Sequence, residues 1–384
     1  MKILFVNHLL DSVTGGGTAE RAFQLARHMA RDGHDCSILT LDIGITPERR
    51  AGLGAAKLVA VACRNERFFV PQFARAELDR LVIDADVVHL SGHWTLLNAR
   101  VFAACRRLGK PYLFCPAGAL KPFGRSLWLK RVYDAAVGNR IVSSAARCVA
   151  ITADERADFT ARGVPAERVA VIPNGIDLQQ YVLADPARAI ADFRAAHGLG
   201  AAPFVLFLGR LNAIKGPDLL LEAFATLAER FPEHHLVFAG PDGGLHNALA
   251  ARAGAAGLAE RIHFIGFVGG DTKTAALRAA SLLVIPSRRE AMSIVVLEAG
   301  ACGCPVLFTN TCGLAEIART GAGTMVEPDV NAIATGVAGA FADSQALANT
   351  AEQLAELVAR DYLWSGQAMR YELLCRQVLA EVRQ

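Results

Sequence analysis

The sequence predicts an α/β protein of two doubly wound domains, each a parallel sheet covered by helices. The chain has 384 residues, which exceeds what one hydrophobic core usually supports. Short apolar runs alternate with segments of helical periodicity, a pattern typical of parallel sheets. The turn-rich segment Pro173-Asn174-Gly175-Ile176-Asp177 and a polar, Ala-rich stretch to Pro203 separate two such series.

The first series begins near the start of the chain. Its expected strands cover 3–6, 36–41, 87–90, 111–115, 147–151 and 169–172. Apolar residues at helical spacing over 19–32 predict the first crossover helix. The glycine turn before that helix, Thr14-Gly15-Gly16-Gly17-Thr18, offers amides to a phosphate, although a merely flexible turn has the same composition. It lacks the Gly-x-Gly-x-x-Gly spacing of dinucleotide sites, which argues against a nicotinamide enzyme.

The second series follows the linker. Its expected strands cover 204–208, 236–239, 262–265, 282–285 and 306–309. Its expected helices lie near 217–231, 245–256, 273–280, 294–301 and 331–342, and a helical tail follows over 352–383. Open α/β sheets bind ligands at the carboxyl ends of their strands, so two such domains facing across a cleft would form the site there.

Two carboxylates flank the start of one predicted helix. Ser293 is a suitable N-cap for a helix from Ile294, which places Glu290 in the preceding turn and Glu298 within the helix. The free amides of a first helical turn suit a phosphate, and carboxylates accept hydrogen bonds from sugar hydroxyls. A nucleotide sugar offers both groups. The spacing alone is also typical of a solvated charged helix.

Two cations follow the first strand of the second series. Arg210 and Lys215 lie in Gly209-Arg210-Leu211-Asn212-Ala213-Ile214-Lys215-Gly216, before the helix expected from Pro217. Together they can stabilise the negative charge that grows on a departing nucleotide diphosphate. Taken singly, each is more typical of a surface charge.

These motifs, with Gly303-x-Pro305-Val306 and the opening Gly15-Gly16-Gly17, resemble a retaining glycosyltransferase of family 4, with the GT-B fold, over nearly the whole chain. The resemblance implies an acceptor-binding Rossmann-like domain over 1–182, to which 362–384 returns as the final helix. It implies a second Rossmann-like domain over 183–361 that binds the nucleotide sugar. No cofactor is implied, and the donor, a UDP- or GDP-sugar, is a substrate.

The resemblance also implies a role for each site residue. Glu290 would bind donor-sugar hydroxyls, and Glu298 the ribose hydroxyls. Arg210 and Lys215 would grip the diphosphate, and with Glu290 they would form the catalytic set. Further donor contacts would come from backbone near Gly16, Gly17, Phe267, Val268, Met292, Ser293 and Ile294. The leaving phosphate oxygen would help deprotonate the acceptor, so no dedicated base is implied. No metal is implied either, because the two cations would do its electrostatic work; Asp84-Ala85-Asp86 precedes a strand and is interpreted as structural.

The chain departs from the family pattern at two places. Glu290-Ala291-Met292-Ser293 stands where many members have a glycine-containing turn, which affects the fit around the sugar. Phe114-Cys115-Pro116 stands where many members place a histidine. His93 and Trp94, after the preceding strand, are the candidates for the acceptor side, although His93 is equally consistent with capping its loop; His89 is interpreted as structural.

The distribution of charge and cysteine indicates which cellular compartment and partners to expect. Between residues 100 and 147 there are ten Lys and Arg residues but a single acidic residue, Asp134. Leu127, Trp128, Leu129, Val132 and Tyr133 interleave with them. The mixture fits an anionic membrane surface or a solvated basic face, whereas nucleic acid lacks a recognised module. Nine scattered cysteines and the lack of a signal-like or spanning segment predict a cytoplasmic protein, peripheral on the inner membrane face where it binds lipid.

The leading hypothesis is a metal-independent retaining transferase. It would move a sugar from a nucleotide sugar to a saccharide or lipid-linked acceptor in bacterial surface polysaccharide or lipopolysaccharide synthesis. A GT-B epimerase or phosphorylase shares the architecture. A non-catalytic subunit that only binds the nucleotide is the alternative of another class.

Overall fold

The computed structural model describes residues 1–11, 15–122, 124 and 126–382. Three residues of the predicted features lie outside them: Thr14 of the glycine turn, Arg125 of the basic segment and Arg383 of the helical tail. The chain divides into two compact units. The first combines 1–175 with the described residues from 364 onward, and the second is Ile176–Leu363.

The boundary between the units differs from the one expected at 182 and 183. Ile176 forms a parallel bridge with Leu363, and its N–H donates to the Tyr362 carbonyl at 2.7 Å. The chain therefore joins the second unit at Ile176. The same bridge ends the second unit at Leu363, so the return to the first unit begins at Trp364.

The first unit is built on one sheet. Its strands are β1 (Lys2–Val6), β2 (Asp35–Leu41), β3 (Lys57–Asn65), β4 (Val70–Gln72), β5 (Val87–Ser91), β6 (Tyr112–Cys115), β7 (Arg147–Ala150) and β8 (Val169–Val171). Their order is β4-β3-β2-β1-β5-β6-β7-β8, and all pairs are parallel except β3 with β4. The central strand β5 is buried along its whole length, as expected of a strand covered on both faces.

Helices cover this sheet. They are α1 (Gly16–Arg31), α2 (Pro47–Ala51), α3 (Arg75–Asp84), α4 (Leu96–Leu108), α5 (Leu127–Tyr133), α6 (Asn139–Ser144), α7 (Glu155–Thr160) and, from the end of the chain, α16 (Trp364–Val382). A π-helical turn, Asp134–Gly138, joins α5 to α6. Helix α16 packs against α1, which confirms the prediction that the final helix returns to the first domain.

The second unit holds a parallel sheet. Its strands are β9 (Phe204–Leu208), β10 (His235–Ala239), β11 (Ile262–Gly266), β12 (Leu282–Ile285), β13 (Val306–Thr309) and β14 (Thr324–Val326). Their order is β11-β10-β9-β12-β13-β14. The chain moves outward from β9 in one direction and then, from β12, in the other. The topological switch point therefore lies between β9 and β12.

Helices also cover the second sheet. They are α8 (Pro186–Ala196), α9 (Pro217–Leu227), α10 (His246–Ala255), α11 (Gly270–Ala279), α12 (Ile294–Cys302), α13 (Ala315–Arg319), α14 (Val330–Ala342) and α15 (Ser344–Asp361). A 3-10 turn, Leu178–Tyr181, precedes α8 and packs on α11 and α12. The predicted tail over 352–383 is thus two helices, α15 and α16, because the bridge at Leu363 interrupts it.

Each unit has its own hydrophobic core beneath its helices. All nine cysteines lie within the described residues and are free thiols. Among the helices of the described residues, none is both long and apolar enough to cross a bilayer.

Candidate functional site

The loops after β9 and β12 lie on either side of the switch point and meet directly. Gly216, at the end of the β9 loop, has a left-handed φ of 69°. A Cβ atom there would lie 2.1 Å from the carbonyl oxygen of Pro286, the first residue of the β12 loop. Only glycine fits this position, since it meets both the conformation and the contact. The close approach brings Lys215 beside the β12 loop.

Glu290 and Lys215 form an ion pair in this junction. Lys215 Nζ lies 2.8 Å from Glu290 Oε1. Ser287 Oγ donates to the same oxygen at 2.5 Å, and the Glu290 N–H donates to the Thr311 carbonyl at 2.9 Å. The carboxylate is therefore fixed through one oxygen. The sequence placed these two residues on different parts of a donor, and the structure shows that they also contact one another.

Glu298 is held in a similar way inside α12. Lys273 Nζ, from α11, lies 2.9 Å from Glu298 Oε1. The Tyr181 hydroxyl, from the 3-10 turn, donates to the same oxygen at 3.0 Å. Sequence reasoning missed both partners, because no motif marks them. The one available signal was the position of Lys273 in the segment that follows the strand expected at 262–265.

Arg210 follows β9 and is exposed. Its guanidinium has no hydrogen-bond or ion-pair partner among the residues that the structure describes. A Cβ atom on Gly243, in the loop after β10, would lie 2.9 Å from Arg210 Cγ. The stem of Arg210 thus lies over that loop, and its guanidinium is available to an anionic ligand.

The start of α12 differs from the prediction in its capping. Ser293 occupies the N-cap position, but its side chain makes no capping hydrogen bond, and its buried Oγ has no partner within the described part of the chain. The Ser293 N–H donates to the Cys312 carbonyl at 3.1 Å. Of the three amides expected to face a diphosphate, that of Ser293 is therefore already engaged. Met292 is buried, and Ile294 is the first residue of the helix.

Phe267 presents an apolar ring at the end of β11. Its side chain is 72% exposed, whereas the neighbouring Val268 is buried. Gly266, just before it, has a φ of 72°, which turns the chain out of the strand. An exposed aromatic ring at a strand end suits stacking with a nucleobase.

In the first unit, the glycine turn is largely helix. Helix α1 begins at Gly16 rather than near residue 19, so Gly16 and Gly17 form its exposed first turn. Gly15 is required where it stands, because a Cβ atom would lie 2.5 Å from the Asp11 carbonyl oxygen. The turn thus supplies helix N-terminal amides, which favour an anion.

His93 is enclosed rather than open to a ligand. Its Nε2 lies 2.8 Å from Asp134 Oδ1, which also accepts a hydrogen bond from Trp94 Nε1 at 2.9 Å; Arg162 donates to Oδ2 at 3.1 Å. Burial lowers the pKa of His93, although the contact with Asp134 opposes this shift. The predicted direct contact of His93 with an acceptor does not fit its buried ring. Trp94, held by Asp134, remains a candidate for contact with the acceptor.

A second buried network involves residues that the sequence did not single out. The buried Arg21 guanidinium donates to the Ile172 carbonyl at 2.6 Å, to Asn174 Oδ1 at 2.9 Å and to the Tyr371 hydroxyl at 3.0 Å. It ties α1 to the residues that directly follow β8 and to α16. His89 packs edge-on against Tyr371, and burial lowers its pKa to about 3, in keeping with a structural role.

The two acidic residues of the Asp84-Ala85-Asp86 segment have partners close by. Asp84 pairs with Lys2 Nζ at 2.6 Å, and Asp86 accepts from the Lys2 N–H at 2.7 Å. Within the described ranges, no three His, Cys, Asp or Glu side chains gather in a way that would hold a metal ion.

Comparisons with known proteins match both halves of the chain. A family model described as "Glycosyltransferase Family 4" matches residues 15–180, and one described as "Glycosyl transferases group 1" matches residues 190–357. A curated relative, the D-inositol 3-phosphate glycosyltransferase of Nocardia farcinica, is 36% identical over 190 residues. The match covers 48% of this chain and 42% of the relative, so it spans less than half of the relative's length.

Solved structures share the architecture. Anabaena HepE in complex with UDP and glucose has a TM-score of 0.81 at 19% identity, over 98% of this chain and 100% of that one. WaaG, a glycosyltransferase involved in lipopolysaccharide biosynthesis, has a TM-score of 0.68 at 20% identity, over 97% and 99% of the two chains. At these identities the likeness shows the fold alone, and it confirms the GT-B prediction.

Proposed function

The chain belongs to the glycosyltransferases that the family 4 and group 1 models describe, and on that premise we propose that it transfers a sugar from a UDP- or GDP-sugar to an acceptor hydroxyl with retention of configuration and without a metal. The observation that carries the proposal is the junction at the switch point of the second sheet. There, Lys215 from the loop after β9 contacts Glu290 from the loop after β12 at 2.8 Å, and Arg210 lies exposed just after β9. Ligands of open α/β sheets bind at such a point.

Each group has a chemical task in this proposal. Arg210 and Lys215 stabilise the charge that develops on the leaving diphosphate. Glu290 Oε2, which has no partner among the described residues, accepts from a hydroxyl of the donor sugar. The bond from the anomeric carbon to the diphosphate oxygen breaks, a bond to the acceptor oxygen forms, and the acceptor proton passes to the leaving phosphate.

The nucleoside would occupy the rest of the same strand ends. Glu298 accepts from the ribose hydroxyls, and the Phe267 ring stacks on the base. Backbone at Met292, Ser293 and Val268 flanks this region. The Ser293 N–H is already bonded, so we assign the first amide contact to Ile294 at the start of α12.

A turnover assay tests the proposal. Purified protein is given UDP- and GDP-sugars with acceptor extracts, and nucleoside diphosphate release is measured for the parent, Lys215→Met and Glu298→Gln. Glu222→Gln is the matched control, because it removes a carboxylate from an exposed ion pair with Arg252 in the same unit. Release should fall at least tenfold in the two site variants and stay at the parent level in the control. Equal release in all four proteins would refute the proposal.

Product analysis separates the alternatives. An epimerase changes the nucleotide sugar without an acceptor, a phosphorylase needs phosphate and a polymer, and a non-catalytic subunit binds nucleoside diphosphate without releasing product. The relative from Nocardia favours a second acceptor class, a phosphorylated cyclic polyol, whereas WaaG favours a lipopolysaccharide-type saccharide. Parallel assays with D-inositol 3-phosphate and with lipid-linked saccharides decide between these acceptors.

The first unit supports a membrane-facing acceptor. Helix α5 exposes Leu127, Trp128 and Val132, and Trp128 is 67% exposed. Lys130 and Arg131 lie in the same helix. Apolar and basic side chains together favour peripheral binding to an anionic membrane, at the cytoplasmic face if the acceptor is lipid-linked.

Sedimentation with vesicles tests the membrane contact. Vesicles that contain anionic lipid, which attracts basic segments, should carry down the parent more than neutral vesicles do. Trp128→Ser should weaken this binding. Phe68→Ser, which also removes an exposed aromatic ring from the first unit, is the control and should not. Equal sedimentation with neutral and anionic vesicles would argue against this surface.

A further inference from the structure

Two side chains outside every predicted motif contact the Glu298 carboxylate. Lys273 Nζ and the Tyr181 hydroxyl both lie within 3.0 Å of Oε1. The Lys273 ammonium also lies 5.4 Å from the centre of the Tyr181 ring, within the range of a cation–π contact. Three elements, α11, α12 and the 3-10 turn, thus converge on a single carboxylate oxygen.

The arrangement leaves the two oxygens of Glu298 in different states. Oε1 accepts from two donors, whereas Oε2 has no partner among the described residues. The side chain of Glu298 is 13% exposed, so its charge is largely withdrawn from water and a nearby cation is needed to balance it. Lys273 supplies that cation, and the Tyr181 hydroxyl adds a second hydrogen bond to Oε1.

We infer that Lys273 and Tyr181 are positioning residues, which hold Glu298 oriented so that Oε2 stays available to the donor's ribose hydroxyls. The inference rests on the proposed function, because it takes the ribose as the group that Glu298 binds. Neither residue touches the donor in this scheme. The competing explanation is that the Lys273–Glu298 pair only ties α11 to α12.

Ribose selectivity distinguishes these explanations. UDP, GDP and their 2′,3′-dideoxy forms are titrated calorimetrically into the parent and the Lys273→Met, Lys273→Arg and Tyr181→Phe variants. The parent should prefer the ribonucleotide. Lys273→Met should reduce that preference by about ten- to a hundredfold, the usual range for loss of a charged hydrogen bond, and Tyr181→Phe by a few-fold. Affinity for the dideoxy forms should not change.

Two further variants sharpen the test. Lys273→Arg keeps the cation and should restore most of the preference. Arg252→Met removes an exposed ion pair of the same unit and should leave the preference at the parent value. Thermal melting of each variant checks folding, and Tyr181→Phe, which deletes one oxygen atom, carries the test if Lys273→Met does not fold.

The outcomes separate the inference from the function. If the Lys273→Met and Tyr181→Phe variants keep the parent's ribose preference, or if they bind the ribo and dideoxy forms with equally reduced affinity, the Lys273–Glu298 pair only joins two helices. The inference is then wrong, and the proposed function stands. If the parent binds neither UDP nor GDP, or binds ribo and dideoxy forms equally, the ribose role of Glu298 fails and the inference fails with it.

Discussion

Replacing Gly216 with alanine should disable the site through backbone geometry alone. A Cβ atom at this residue would lie 2.1 Å from the Pro286 carbonyl oxygen, whereas a carbon–oxygen contact usually requires about 3.3 Å. The loops after β9 and β12 must therefore separate by about 1 Å. This displacement would pull Lys215 away from Glu290, which it now contacts at 2.8 Å.

A matched glycine isolates this effect from backbone strain. Gly257 has the same φ of 69° as Gly216, but a Cβ atom there would meet nothing within 4 Å. An alanine in the left-handed region costs about 1–2 kcal/mol at either position. Both variants should lose that much stability, and Gly216→Ala should lose more because of its clash.

Steady-state kinetics with the nucleotide-sugar donor then compares the two. Gly216→Ala should lower kcat/KM about a hundredfold, the usual effect of misplacing a site by about 1 Å. Gly257→Ala should leave kcat/KM unchanged. If both variants kept the parent's kcat/KM and lost the same stability, the contact between the two loops would have no part in the site.

Three further predictions concern single side chains. Arg210→Met should lower kcat/KM by about 10²–10³-fold with an unchanged melting temperature, because the exposed guanidinium has no partner among the described residues; unchanged kinetics would contradict its role. Arg21→Met should lower the free energy of unfolding by about 3–5 kcal/mol in urea titrations, since buried acceptors lose their donor. His89 must stay neutral among Arg21, Tyr371 and Ser91, and its pKa is lowered from 6.5 to about 3 by burial and by Arg21. The unfolded chain binds a proton at His89 that the folded chain excludes. The contribution of neutral His89 to the free energy of unfolding is therefore complete above pH 6.5 and is lost as the pH falls toward 3. The melting temperature of His89→Phe should therefore fall less than the parent's between pH 7 and 5, and equal losses would contradict this.

Much of the fold was predictable because its strands are continuous apolar runs. Strand β5 is buried at every position, and β9 likewise, so each stands out from the helices beside it. Strand β3 was missed because it lies next to the short outer strand β4 and is mostly half-buried or exposed, without a clear apolar run. The break at Leu363 depends on a bridge to Ile176, which no local pattern records.

The candidate site could be predicted from the sequence where polar side chains follow directly on a strand. Arg210 and Glu290 come after β9 and β12, so their side chains could be expected at one sheet edge. Lys273 and Tyr181 are 25 and 117 residues from the glutamate they contact, and only the folded chain brings them to it. The capping bond expected of Ser293 is absent: its N–H donates to the Cys312 carbonyl of another loop, and its buried Oγ has no partner within the described residues.

Each glutamate of the proposed site is paired with a lysine, and this pairing resolves an electrostatic conflict. Two carboxylates that bind hydroxyl groups would otherwise repel the diphosphate of the same ligand. Lys215 balances Glu290, and Lys273 balances Glu298, each through Oε1. With Arg210 added, the set holds three cations against two carboxylates. The acids can therefore recognise hydroxyls through Oε2 while the site as a whole still attracts an anion. Removing Lys215 should thus weaken diphosphate binding and hydroxyl recognition together. Removing Lys273 should weaken ribose recognition, whereas removing Arg210 should weaken diphosphate binding alone.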